Sequence, residues 1–182
     1  MKTPIATFLF SATIVFHQAQ GQEKWVPVVK DESSIHYRLT HPMHEVNAVS
    51  NEVNGRIEID PAEKKIEAVT ADVDVMTFDS GNSNRDSHAM EVVDALTYPA
   101  VNFAGTSVIQ QGDSVFVRGT LTFHGITNDV TIAGKDTWTG SSVTVDGRFS
   151  ISLTAFKIER PSLLFIPVND ELKFTIHALY RF

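Results

Sequence analysis

The chain contains no cysteine. Disulfides are excluded, as are a thiolate nucleophile and a lipidated N-terminal cysteine, so stability has to come from the core and from backbone pairing. A basic run is also missing: 15 Lys and Arg stand against 22 Asp and Glu, for a net charge of −7. An acidic chain of this kind offers no footprint for nucleic acid or for an anionic membrane surface. There is no Gly-x-Ser-x-Gly, no His-Glu-x-x-His and no phosphate-cradling glycine loop. Without a nucleophile and a positioned base, the expectation is a protein that is not an enzyme and needs no cofactor. Internal repeats and strand–helix alternation are absent too, which argues against a doubly wound parallel sheet.

The N-terminus carries one lysine, Lys2, an apolar stretch from Ile5 to Phe16, and the small-x-small triplet Ala19-Gln20-Gly21. This is the pattern of a secretory signal removed after Gly21. The apolar stretch stops at His17-Gln18, short of the roughly twenty residues a membrane span requires. The expected organisation is therefore a signal peptide over residues 1–21 and one domain over 22–182. A periplasmic or secreted location follows.

Short alternating segments fill the domain. Ile35, Tyr37 and Leu39 share one side of a strand over Ser34–Thr40, and Ile57 and Ile59 share one side of Arg56–Asp60. Further strands are expected over 66–76, 101–110, 114–123, 129–133, 143–153 and 172–182, with 143–153 the longest. Trp25–Val29 is an edge strand at best, because Pro27 cannot donate to a ladder. Eight antiparallel strands with few prolines inside them suit a closed barrel, which leaves no edge exposed.

One helix interrupts this pattern. Ser83-x-x-Asp86 has capping-box spacing, and Ala89, Val92, Val93 and Leu96 recur at helical intervals. Tyr98-Pro99 stops it, since the residue before a proline avoids the α region. A helix over about 83–96, lying over the barrel, is expected.

Three groups of residues are candidates for function. His41 and His44 flank a turn at a spacing open to metal, with His36 or His88 as a further ligand. The plain alternative there is a pair of exposed imidazoles, and a metal-dependent enzyme at this turn is the weakest reading. Arg85, Asp86 and His88 would form a polar cluster at a barrel mouth, or else Asp86 caps the helix while Arg85 pairs with Asp79. Val101, Phe103, Leu121, Phe123, Phe149, Ile151, Phe174 and Ile176 either line a ligand tunnel or form a filled core. A barrel of eight strands accommodates both outcomes.

Four stretches resemble the YceI-like family of exported lipid- or polyisoprenoid-binding proteins. They are Phe78–Met90 with its Arg85-Asp86-Ser87-His88 core, Tyr98-Pro99-Ala100-Val101-Asn102-Phe103, Gly119–Thr127, and Leu153–Ser162 with the final strand. The chain departs from the pattern at Ala155-Phe156-Lys157, where members often carry an Asp-Phe-Gly-like triplet. The resemblance implies a lipocalin-like barrel that holds an isoprenoid, quinone or fatty chain by sequestration. A membrane-protein loading partner and a homodimer complete the expected partners. The competing expectation is a non-catalytic envelope or stress module with a filled barrel.

Overall fold

Strand alternation shapes the molecule, and the computed structural model describes residues 24–182. The expected signal segment lies outside the described residues. In chain order the strands are β1 (Lys24–Pro27), β2 (Ser34–His41), β3 (His44–Ser50), β4 (Asn54–Asp60) and β5 (Lys65–Asp74). The helix α1 (Ser83–Val92) follows, and then β6 (Ala100–Gln111), β7 (Ser114–Phe123), β8 (Ile126–Thr139) and β9 (Ser142–Ser152). A two-residue-strand ribbon, β10 (Ser162–Leu163) and β11 (Ile166–Pro167), precedes the last strand, β12 (Glu171–Arg181).

Ten of these strands form one antiparallel sheet in the order β1-β4-β5-β6-β7-β8-β9-β12-β2-β3. The sheet curls until its first strand reaches β12: Val28 bridges Tyr180, and the Val29 N–H donates to Leu179 O at 2.8 Å. β2 pairs with residues 172–177 of the same strand, so β1 and β2 lie end to end along one edge of β12. On the far side the edge strand β3 is met by the segment before α1, where Val49 and Asp79 exchange both backbone bonds (2.9 and 2.8 Å). The Ser50 and Thr77 hydroxyls are hydrogen-bonded beside them at 2.6 Å.

This is the expected all-β barrel with one helix, built from ten strands rather than eight. β3 escaped the pattern because its inward positions include the small residues Ala48 and Ser50, which give little hydrophobic signal. β8 is continuous across Gly134-Lys135-Asp136, making it longer than β9. Gly134 stays in the ladder opposite Gly147.

The helix differs at both ends. Asn82, not Ser83, is the cap, accepting from the Arg85 N–H at 3.1 Å. At the other end the Asp94 N–H donates to Glu91 O (3.1 Å) and the Ala95 N–H to Met90 O (2.9 Å). These are the two bonds of a Schellman motif, with Asp94 at φ 46° where glycine is usual. Leaving the helix there places Ala95 in the core and Leu96 in solvent, 92% exposed.

The interior has two main apolar clusters. One, around Phe103, Leu121, Phe123, Ile151, Leu153 and Phe156, lies under α1 and packs against Met90, Val92 and Val93. The other closes the opposite end with Val26, Ile57, Ile59, Ile66, Val143, Ala178 and Tyr180.

Candidate functional site

Between the two clusters the barrel is not filled. A cavity of about 220 Å³ runs from Tyr180 and Ala178 at the closed end to Met90, Val93, Ile158 and Pro161 beneath the helix and the 153–170 loop. The inner faces that line it follow from period-two alternation: Val69, Ala71 and Val73 on β5, Val145 and Phe149 on β9, Phe174, Ile176 and Ala178 on β12. Gly147 stands between Val145 and Phe149, and a Cβ there would lie 3.1 Å from Ile132 Cγ2. The lack of a side chain at 147 therefore keeps that part of the lumen open.

Seven of the eight expected lumen residues, Val101, Phe103, Leu121, Phe123, Phe149, Phe174 and Ile176, line the cavity. Ile151 shares their face and is buried at 5% exposure, but it packs in the cluster under the helix, off the cavity wall. Phe149 and Phe174, cross-strand partners, stack with ring centroids 4.7 Å apart.

Polar groups on the lining are few: Tyr37, Asp72, Asp86 and Tyr180. Asp72 accepts from Asn54 Nδ2 at 2.9 Å. Asp86 accepts hydrogen bonds from the Ser80 backbone N–H (3.2 Å) and from the Ser80 hydroxyl. Arg85 closes the same network from outside, donating from Nε to Ser80 Oγ (2.8 Å) and from Nη2 to Ser80 O (2.6 Å). The expected pairing of Arg85 with Asp79 is not formed, because Asp79 Oδ1 turns back to accept from the Gly81 N–H at 2.6 Å. The Tyr37 phenol faces this cluster. Burial holds its pKa above the usual phenol range, the Asp86 carboxylate adds to the rise, and the Arg85 guanidinium opposes it. Tyr37 is thus a protonated donor at the edge of an apolar bore. At the closed end, burial pushes the Tyr180 phenol up to about 12.

His88 does not join the cluster. It is exposed on α1 and lies 3.7 Å from Glu91. His41 is not an exposed imidazole: it is 3% exposed, and both ring nitrogens are used. Nδ1 accepts from the Met43 N–H (3.1 Å), so Nε2 carries the proton and donates to Ile166 O (3.0 Å). His44 lies against it, the ring centroids 5.0 Å apart and the planes tilted by 36°. His41 is a pin between the β2–β3 turn and the β10–β11 ribbon. Among the described residues no three His, Cys, Asp or Glu side chains come together as a metal site.

Sequence reasoning missed the mouth residue Tyr37, which reads as one more apolar position of a weak strand. It also missed Asp136, a carboxylate at 6% exposure on β8 that accepts from Gln110 Nε2 (2.9 Å) and Trp138 Nε1 (2.5 Å). The separation of Asp136 from Gln110 in sequence leaves no local trace of that partnership.

The fold has solved counterparts. The crystal structure of Burkholderia cenocepacia BcnA superposes with a TM-score of 0.75 at 23% identity, covering 84% of this chain and 98% of that one. A Saccharophagus degradans structure, described as a polyisoprenoid binding domain implicated in plant cell wall breakdown, gives 0.65 at 10% identity, over 88% and 99%. Among curated relatives, a Vibrio cholerae UPF0312 protein is 27% identical over 168 residues, 87% of this chain and 89% of the relative. A Pseudomonas putida UPF0312 protein is 26% identical over 170 residues, 88% of each. The YceI-like domain model matches residues 27–179, nearly the whole of the barrel, so the chain belongs to the YceI-like family.

Proposed function

We propose that this protein binds an apolar chain lipid, an isoprenoid, a quinone tail or a fatty chain, in the bore of its barrel and carries it outside the cytoplasm. The observation that carries this reading is the polarity of the cavity. It is mostly aliphatic and aromatic, closed by Val143, Ile59 and Tyr180; of its polar groups, Asp72 is taken up by Asn54, the Tyr180 phenol is buried at the closed end, and Tyr37 and Asp86 stand at the mouth. A ligand with a long apolar tail and a polar end matches that gradient in one direction only. Each CH₂ removed from water contributes about 0.8 kcal/mol, so a five-carbon unit supplies roughly 3–4 kcal/mol before the cost of ordering. At the mouth, the Tyr37 hydroxyl is a donor suited to an oxygen-bearing end. The polyisoprenoid-binding description of the Saccharophagus degradans neighbour points to the same ligand class.

Export rests on the Lys2, Ile5–Phe16 and Ala19-Gln20-Gly21 pattern. N-terminal sequencing of protein recovered from the envelope should begin at Gln22. Native mass spectrometry of that protein tests the carrier. A co-purifying species of several hundred daltons that extracts into organic solvent is the expected result. A bare chain that also takes up no added polyprenol or quinone would overturn it.

A further inference from the structure

The ribbon formed by β10 and β11 ends in Leu164 and Phe165, and Phe165 is the most exposed large apolar side chain among the described residues. From Pro161 to Val168 the sequence has no charged residue. Ser162 pairs with Pro167 and Leu163 with Ile166, leaving Leu164 and Phe165 as a two-residue turn. Both have positive φ, 52° and 65°, the conformation that Asn-Gly usually supplies in such hairpins. Two bulky apolar residues therefore hold a turn they disfavour, and they hold it in solvent: Leu164 is 70% and Phe165 99% exposed.

The base of this finger is fixed. His41 Nε2 donates to Ile166 O, the Val168 N–H donates to Pro161 O (2.9 Å), and Arg160 Nε donates to Val168 O (2.8 Å). The finger stands beside the lumen, since Pro161 and Ile158 at its root line the cavity. Other exposed apolar side chains gather at the same end of the barrel. Met43 lies on the β2–β3 turn, Met76 follows β5, and Leu96 follows α1, at 62%, 50% and 92% exposure. Each of these segments joins strands at the end where the cavity opens.

We infer that this end of the barrel docks on a neutral lipid bilayer, with the Leu164–Phe165 tip inserted among the acyl chains. The shape and charge of the surface favour a bilayer over a protein. The finger is convex, so it has no groove for a partner and matches a medium that yields to it. Apolar residues from four separate segments stand at one end of the barrel, which suits a planar partner. The tip has no charge, and the chain as a whole is acidic, so attraction comes from apolar burial and not from anionic headgroups. Seated this way, the mouth faces the membrane and an apolar tail enters without crossing water. The docking is a property of the surface and does not depend on which lipid the bore holds.

Flotation of the full mature protein with phosphatidylcholine vesicles tests the inference. The protein should float with the vesicles, and the bound fraction should be insensitive to added salt. The double variant Leu164→Asn/Phe165→Gly gives the turn its preferred residues, so it should fold with an unchanged or higher Tm while losing vesicle binding by on the order of tenfold or more. Uptake of a fluorescent fatty acid from detergent-free solution should persist in the variant, which separates failure of docking from failure of the cavity. Equal flotation of variant and parent would overturn the inference. So would steep loss of binding with salt, or a parent that is a dimer by sedimentation and a variant that is a monomer.

Discussion

Phe149 on β9 and Phe174 on β12 lie with their ring planes within 11° of each other and their centroids 4.7 Å apart. They are direct cross-strand partners, and both line the bore. The stack is therefore part of the cavity wall as well as part of the ladder. Replacing Phe174 by alanine removes the stack and widens the bore. A buried Phe→Ala change costs about 3–5 kcal/mol, and these rings are half-buried, so roughly 2–3 kcal/mol is expected in urea unfolding. Added long-chain alcohol should restore part of that loss by occupying the enlarged space.

Filling the bore should have the opposite signature. Ala71 lines the cavity from β5, and Ala71→Phe places a ring in the lumen. The variant should stay folded, with a cost of about 1–3 kcal/mol from overpacking. It should also lose uptake of a fluorescent fatty acid by at least roughly tenfold. Unchanged uptake would remove the lumen as the binding site.

Lys157 has φ 56°, following the short 3-10 turn Thr154–Phe156. A lysine in the left-handed region costs about 1–2 kcal/mol, and the greater freedom of glycine in the unfolded chain returns part of it. Lys157→Gly should therefore raise stability by about 0.5–1 kcal/mol in denaturant titration, with no change in ligand uptake.

Two groups contribute to the pH limits of stability. The Asp170 carboxyl is held below the usual carboxylate range by the Ser152 hydroxyl and the Thr154 backbone N–H. Its contribution is intact above about pH 4 and is lost as pH falls through the depressed folded value. Asp170→Asn should flatten the acid limb of a Tm–pH profile. Tyr180 contributes on the alkaline side, because burial pushes its phenol up to about 12. Its contribution is intact below the ordinary phenol value of about 10 and is lost as pH climbs through 12. Tyr180→Phe should remove that limb.

The strands that alternate cleanly were legible in sequence, and so was the apolar face of each. β9 alternates Val143, Val145, Gly147, Phe149 and Ile151, and all five point inward. What alternation could not deliver was the distance between opposite walls, which decides whether one face encloses space or packs against another. Gly147 and Ala71 leave room where larger residues would have filled it, and only the assembled ring shows that. The helix end was illegible for a local reason: Asp94 takes the left-handed cap without being glycine, so Leu96 remained on a periodicity the chain had already left. His41 looked like a surface turn residue because its partner, Ile166, is 125 residues away.

The join between β3 and the segment before α1, like the closure of β1 on β12, is held more lightly than the long ladders of the barrel wall. Many neighbouring strands are laced by continuous ladders, as β9 and β12 are from Glu171 to Arg181. At this join two backbone bonds and one hydroxyl pair hold the staves together. A hoop that is stiff around most of its circumference and lightly stitched at two places yields at those first. On the lipid-binding reading proposed above, a thicker guest should spread these stitches before it shifts the register of the long ladders.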